Sequence, residues 1–364
     1  MDAGDGCGRR LAAQFLARPS RGSVIDVVRA LGAVQAQDYA GAKWALGQRV
    51  AGATDASIET LFTQGAILRT HVLRPTWHFV DPEDIRWMLA LTAPRIAASM
   101  SSYNRKVELT PDVFRRSTDA IAKALEGGRH LTRAELREVL ARVGITATTQ
   151  RLGHLMMQAE LDGVICSGAR RGKEFTYALL DERVRPVAPR DRDECLADLA
   201  VRYFTRRGPA TTSDMSWWSG LAMADVKRAI EVCGRRLRRI DVDDRPHWIA
   251  AGQRASATRP TAHLLPNYDE YFIGLRDRTA IARRVSDSRL VTGGDARIVH
   301  VAFVDGQLVG GWRRLVVGST PVVELDLVTR ITRDERSRLE AQVERLGTFL
   351  GVPVTMRDRR RNGR

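Results

Sequence analysis

Two side-chain amides stand two residues apart in Gln35-Ala36-Gln37, and a carboxylate, Asp38, follows directly. An amide is no base, but its carbonyl oxygen accepts a hydrogen bond from water, and its dipole can face developing positive charge. Asp38 could act as a true base, or cap a neighbouring backbone group if it points away from a cavity. Spacing decides whether the amides act together. On a helix, residues i and i+2 point about 200° apart; along an extended segment they share a face. Gly32 ends or loosens the preceding helix, so an extended stretch over 34–38 would aim Gln35 and Gln37 into one cavity. Taken alone, a Gln-x-Gln pair marks no more than a solvated helix end.

Other groups able to join such chemistry lie far along the chain. Arg74, Trp77 and His78 fall together in RPTWHFV. The ring and the imidazole could meet a sugar or stack on a base; core packing explains Trp77 as well. In LLPNYDEYFIGLRDR, Asn267, Tyr268, Asp269 and Tyr271 suit either a cavity floor or a structural polar network. Asp269 is the expected partner of a catalytic amide. Lys43, Arg69, Arg170, Arg171 and Arg313 are candidates for phosphate contact, against the alternative of solvated surface cations.

The positioning elements repeat. HLTRAELREVLARVG opens with Thr132 and Glu135 at capping-box spacing. Apolar Leu136, Val139, Leu140 and Val143 recur with helical period, and Gly144 ends the run. A second helix follows, with Leu152, Leu155, Met156, Ala159 and Leu161 inward. VICSGARRGKEFTYALL then reads as a hairpin. This is the outline of a winged helix, with Arg170, Arg171 and Lys173 at the wing tip. The pattern returns in the next segment, with a last helix from about Ala222 and strands in LRRIDVDDRPHWIA. It occurs more loosely in the first, with helices near 8–16, 23–32 and 56–63 and strands in AILRTHVLRPTWHFV. The C-terminal part predicts a small antiparallel sheet with an Asp305-Gly306 turn, closed by a helix over 334–350. The expected fold is α+β: three tandem winged-helix units (1–110, 111–189 and 190–260) and a C-terminal β-rich domain (261–364) ending in a disordered basic tail, RDRRRNGR.

Composition narrows the function. The chain of 364 residues is 44% hydrophobic, enough for real cores. It has no apolar run of about 18 residues, so no membrane span is expected. Its first residues lack the apolar core of a signal peptide, which points to the cytoplasm. Cys7, Cys166, Cys195 and Cys233 are scattered, with no zinc-ligand spacing, and are expected as free thiols. The 58 Lys and Arg outnumber 43 Asp and Glu, giving a net charge of +15. That balance favours polyanions, nucleic acid above all, although an Arg-rich GC-biased genome would produce it too.

In order along the chain, LGAVQAQDYAGAKWALGQR, LRTHVLRPTWHFV, LLPNYDEYFIGLRDR and VDGQLVGGW resemble the tandem winged-helix DNA glycosylases, the AlkZ/YcaQ-like family. The resemblance covers nearly the whole chain. Gln35-Ala36-Gln37 matches the Gln-x-Gln motif of the AlkZ-like branch rather than the Gln-x-Asp of the other. It implies a C-shaped molecule with a basic channel and a β-hairpin that probes DNA. It implies a monofunctional glycosylase that excises bulky N7-alkylguanine, can unhook interstrand crosslinks, and protects a producer of a DNA-alkylating natural product. Gln37 would position water, and Gln35 would support the water or the sugar. The partner would be duplex DNA carrying alkylated guanine, with no metal, no cofactor, no obligate protein partner and a monomeric state. No motif places a lysine for a Schiff base. A winged-helix regulator, a DNA-shielding protein or a toxin-sequestering protein are the alternatives.

Overall fold

The computed structural model describes residues 3–253, 260–285, 300–318 and 320–359. Helix α1 (Ala3–Ala13) leads into a first repeat: α2 (Val24–Leu31), β1 (Val34–Gln35), α3 (Tyr39–Arg49), α4 (Asp55–Gln64), β2 (Leu68–His71) and β3 (Trp77–Val80). Its sheet has the order β1-β3-β2. A 22-residue helix, α5 (Ile85–Lys106), joins it to the second repeat. That repeat comprises α6 (Pro111–Leu125), β4 (Leu131–Thr132), α7 (Arg133–Arg142), α8 (Thr149–Leu161), β5 (Ile165–Ser167) and β6 (Thr176–Leu179), in the same sheet order, β4-β6-β5. After the short α9 (Leu180–Arg183) come α10 (Arg192–Arg207), α11 (Thr212–Ser219), α12 (Met223–Cys233), β7 (Leu237–Val242) and β8 (Arg245–Ala250). There the first strand is reduced to one bridge, Ala210 to Trp248 on β8. One connectivity thus occurs three times, each time with the first extended stretch laid on the last strand.

The C-terminal part comprises β9 (Ala262–Leu265), α13 (Glu270–Ile273), β10 (His300–Val304), β11 (Gln307–Val317), β12 (Thr320–Leu327), α14 (Arg333–Leu350) and β13 (Thr355–Asp358). Its five strands run in the order β13-β12-β11-β10-β9. All neighbours are antiparallel except β12 and β13, which are parallel. The basic tail is therefore not disordered from its start. Arg357 pairs with Glu324 and Arg359 with Asp326, both carboxylates of β12. The rest of that tail lies outside the described residues.

Local signals explain most boundaries. Thr132 and Glu135 form the anticipated capping box, and Gly32 ends α2 with φ 83°. Among the longer helices, α3, α5 and α6 were absent from the expectation. Every residue of α3 from Gly41 to Arg49 is buried, so it carries no apolar stripe for periodicity to detect. Within α5, Pro94 breaks the reading of one continuous helix.

Packing ties the first repeat to the distant C-terminal sheet. Val28, Leu31, Val34, Trp44 and Phe62 share one core with Leu264, Ala302, Trp312, Val323 and Phe349. The second repeat keeps a core of its own, built around Ile121, Leu136, Leu155 and Ile165. All four cysteines are buried free thiols. Among the described residues no helix is long and apolar enough to cross a membrane, and no group of His, Cys, Asp or Glu is arranged to hold a metal ion.

Candidate active site

The glutamine motif lies where β1 runs out. Gln35 sits opposite His78 on β3, and the Ala36 amide donates to the Trp77 carbonyl at 2.7 Å, so the backbone stays laddered through Ala36. Gln35 is buried and Gln37 is exposed. Both side-chain carbonyls accept from the β2–β3 hairpin, one from its connection and one from the first residue of β3. Gln35 Oε1 takes a hydrogen from Arg74 Nη2 at 3.0 Å; Gln37 Oε1 takes one from the Trp77 amide at 3.4 Å. A guanidinium only donates, so the Arg74 contact fixes which end of the Gln35 amide is oxygen and turns its NH2 the other way.

Two buried charges hold the motif's backbone. Glu270 Oε1 accepts from the Gln35 amide at 2.9 Å, and Oε2 accepts from Trp218 Nε1 at 2.8 Å and from Arg207. Arg207 also donates to the Leu31 carbonyl at 2.9 Å and lies 4.1 Å over the Trp218 ring. Burial alone would raise the Glu270 pKa, but the Arg207 charge and these hydrogen bonds bring it below the usual carboxylate value. From the other side, Arg69 Nε donates to the Ala36 carbonyl at 3.0 Å, with its guanidinium over Trp77 (4.2 Å) and Phe175 (4.6 Å). Burial lowers the Arg69 pKa to about 10.

This reassigns several residues. Asp269, the expected partner of an amide, instead forms a buried two-pronged pair with Arg49 (2.7 and 2.8 Å) and caps α13 through the Tyr271 amide. Its neighbour Glu270, which sequence reasoning passed over, makes the contact with Gln35. The available signal was a charge set directly against the apolar Tyr271-Phe272-Ile273. Arg69 is buried and committed to Ala36, so it is a girder and not a phosphate contact. Trp77 is half-buried, with the His71 ring 4.6 Å away; His71 pairs in turn with Glu160. His78 is fully buried beside the motif, and its Nδ1 donates to the Thr76 carbonyl at 2.8 Å. Burial, reinforced by Arg74, lowers its pKa to about 3, so the ring is neutral.

A second group meets immediately beyond Gln37. Asp38, Lys43, Arg170 and Arg313 all line one cavity of about 560 Å³. Asp38 caps α3 through the Gly41 amide at 3.0 Å. Lys43 is buried and bonded to Asp55 and Glu59, both at 2.8 Å, which removes it as a surface phosphate contact. Arg170, from the loop between β5 and β6, folds back over Phe175 (4.2 Å) and Tyr39 (5.0 Å). Arg313 donates to Glu324, and Arg171 to Glu135 and to the His130 carbonyl. The backbone N–H of Asn267 donates to His300 Nδ1 at 3.1 Å.

A family model described as DNA glycosylase AlkZ-like matches residues 28–349, a span that includes the motif, both carboxylates of the NYDEYF stretch and strands β9 to β12 of the C-terminal sheet. The chain belongs to the AlkZ-like DNA glycosylases. It is 26% identical over 333 residues to the interstrand DNA cross-link repair glycosylase of Streptomyces sahachiroi, a match covering 86% of this chain and 90% of that one. Its fold is similar to the solved structure of Streptomyces sahachiroi DNA glycosylase AlkZ, with a TM-score of 0.81 and 23% identity, over 99% of this chain and 100% of that one.

A glycosylase of this family must cut the bond between a deoxyribose C1′ and a base nitrogen. The groups gathered here suit a cut that needs little acid–base power. Two neutral amides and a neutral imidazole surround the end of β1, while the nearby charges are either paired or held by backbone groups. Such a site can orient water and face positive charge on a sugar; the carboxylate nearest in sequence, Asp38, caps α3 through one oxygen and lines the adjacent cavity.

Proposed function

We propose that this glycosylase hydrolyses the N-glycosidic bond of N7-alkylguanine in duplex DNA, accepts bulky adducts, and unhooks interstrand crosslinks. Alkylation at N7 makes the guanine cationic and thus a ready leaving group. The C1′–N9 electron pair moves onto the purine and neutralises it. An oxygen–C1′ bond forms from water, whose surplus proton passes to solvent. The sugar between these states is oxocarbenium-like. Gln37, exposed and held by one long contact, is the water-positioning residue. Gln35, whose carbonyl is occupied by Arg74, supports the water or the sugar. The cap to Gly41 supports reading Asp38 as the start of α3 rather than as the base. Lys43 is bound between two carboxylates, which favours hydrolysis without a lyase step.

The three repeats are winged helices in this reading, bounded near 1–110, 111–189 and 190–260, arranged with the C-terminal domain to grip duplex DNA. The protein acts as a monomer in the cytoplasm, where it protects its host's DNA from an alkylating natural product. The name of the Streptomyces sahachiroi relative supports the crosslink substrate. The observation that carries the reading is the Gln35–Gln37 arrangement, with one amide locked and the other open. The test is release of free base from N7-methylguanine duplex DNA. Wild type should release it, and Gln37→Ala should not, while DNA binding persists. Full release by the variant would remove Gln37 from the mechanism. Binding without release by the wild type would leave a non-catalytic DNA-binding protein.

A further inference from the structure

The β5–β6 hairpin of the second repeat does not keep to its own repeat. Its tip, Arg171 to Glu174, is exposed, but the residues flanking the tip turn toward the first repeat. Phe175 packs on the core shared by the first repeat and the C-terminal sheet, whereas Tyr177, two residues on, packs on the second repeat's own core. Ser167 on β5 accepts the Arg69 backbone N–H through Oγ at 2.8 Å, which ties the hairpin to β2.

The residues that turn inward build a column of alternating rings and cations. From the Trp77 ring it runs to the Arg69 guanidinium (4.2 Å), the Phe175 ring (4.6 Å), the Arg170 guanidinium (4.2 Å) and the Tyr39 ring (5.0 Å). Each guanidinium is held between two rings. A cation over a ring gains most where water is excluded, and Arg69 is buried. The column bears on the glutamine motif at three points. The Trp77 amide donates to Gln37 Oε1, Arg69 Nε donates to the Ala36 carbonyl, and Tyr39 follows Gln37 by two residues. The Ala36 carbonyl lies in the rigid peptide plane that joins Ala36 to Gln37. Its orientation therefore sets the direction in which Gln37 leaves the chain. Arg69 steadies that plane only while its own guanidinium is fixed, and one of the two rings that fix it is Phe175.

We propose that the β5–β6 hairpin is a strap that positions the glutamine motif for excision, with Phe175 as its positioning residue. The Phe175 ring holds Arg69 against the peptide between the glutamines, and Arg170 covers the other side of that ring. Neither residue touches the reacting atoms; both act through Arg69 and Ala36. The inference rests on the proposed role of Gln35 and Gln37. It gives the second repeat a part in the chemical step, although its core is separate from the one under the motif.

Three substitutions in the full chain test this. Phe175→Leu keeps an apolar side chain and removes the ring face, Phe175→Tyr keeps the face, and Arg170→Met keeps the stem and removes the guanidinium. Single-turnover excision of N7-methylguanine from duplex DNA and affinity for undamaged duplex are measured on each, with Gln37→Ala alongside. Thermal unfolding gives the folded fraction. Small misplacements of reacting groups are costly, so Phe175→Leu should lose about tenfold in excision rate per folded molecule, with duplex affinity unchanged. Phe175→Tyr should restore most of that rate, and Arg170→Met should show a smaller loss of the same kind. Full excision by folded Phe175→Leu would overturn the strap, as would full excision by Arg170→Met where Phe175→Leu does not fold; an inactive Gln37→Ala would then keep the glutamine reading. Equal losses in the Leu and Tyr variants would reduce Phe175 to packing and reject its role. Weakened duplex affinity with an unchanged excision rate would make these residues DNA contacts instead. An active Gln37→Ala would remove the target of the strap and the strap with it. A wild type that releases no base would reject the proposed function and the strap together.

Discussion

Gln35 and Gln37 share a side chain and little else. Gln35 is 6% exposed, with its backbone on Glu270 and its carbonyl on Arg74. Gln37 is exposed, and its carbonyl has one contact, at 3.4 Å. The ladder ends between them, at Ala36. One amide is therefore a fixed dipole, its carbonyl oriented by Arg74 of the first repeat and its backbone held by Glu270 of the C-terminal domain; the other can turn to accept from water. Catalytic sites need the first kind of group for preorganisation. Placing a nucleophile of varying position needs the second. The contrast assigns different sensitivities to the two residues, and those can be measured.

The largest effect should come from the support under Gln35. Glu270→Gln leaves the buried Arg207 charge unbalanced, and breaking a buried ion pair from one side costs roughly 3–5 kcal/mol. Chemical denaturation should show that loss. Asp269→Asn is the matched comparison, one residue away, since it strands Arg49 in a similarly buried pair. Both variants should be destabilised. Only Glu270→Gln should also lower kcat per folded molecule, because only Glu270 holds the motif. If both variants, or neither, lose kcat, the special connection from Glu270 to Gln35 is broken as an idea.

Next come the amides themselves. Removing one preorganised dipole from a transition state lowers kcat by about 10²-fold in comparable sites. Gln37→Ala should show that loss with an unchanged melting temperature, its side chain being exposed. Gln35→Ala should lose activity and also stability, by about 1–3 kcal/mol, because Arg74 is left without its buried acceptor. Single-turnover excision and thermal unfolding of the two variants decide this. Identical stability in both would erase the locked-versus-open distinction.

The motif and the repeating connectivity were legible because they are local. A Gln-x-Gln run, a capping box and hairpin turns each depend on neighbouring residues. What escaped depends on residues far apart. The bond from Glu270 to Gln35 spans 235 positions, and no spacing within NYDEYF distinguishes Glu270 from Asp269. Helix α3 was hidden because burial on every side removes periodicity. The basic residues misled in a different way. Lys43, Arg69 and Arg170 look like phosphate contacts in a chain of net charge +15, but each turned out to be held by acidic, carbonyl or aromatic partners inside the fold. Charge can be counted along a sequence; its partners cannot.

The smallest effect separates the two sides of the motif by pH. His78, opposite Gln35, has its pKa lowered from 6.5 to about 3 by burial first and by Arg74 second, and burial does the same to His263 on β9. Each ring is neutral in the fold. Below pH 6.5 the unfolded chain takes up protons that the native state refuses until about pH 3. Stability is therefore full above 6.5 and falls as pH drops through that window, by on the order of 1 kcal/mol per unit for each ring. Glu270, whose folded pKa is lowered, contributes above its ordinary value of 4.5 and is lost only in stronger acid. Denaturation between pH 6.5 and about 5.5, above the range in which most carboxylates take up protons, should thus show the histidine slope, and His78→Gln should remove about half of the part owed to these two rings. An unchanged slope would mean that the ring beside Gln35 takes a proton inside the fold, so that this side of the motif carries charge in mild acid. Gln37 touches no titratable side chain among its hydrogen-bond partners, so Gln37→Ala should leave the slope as it is.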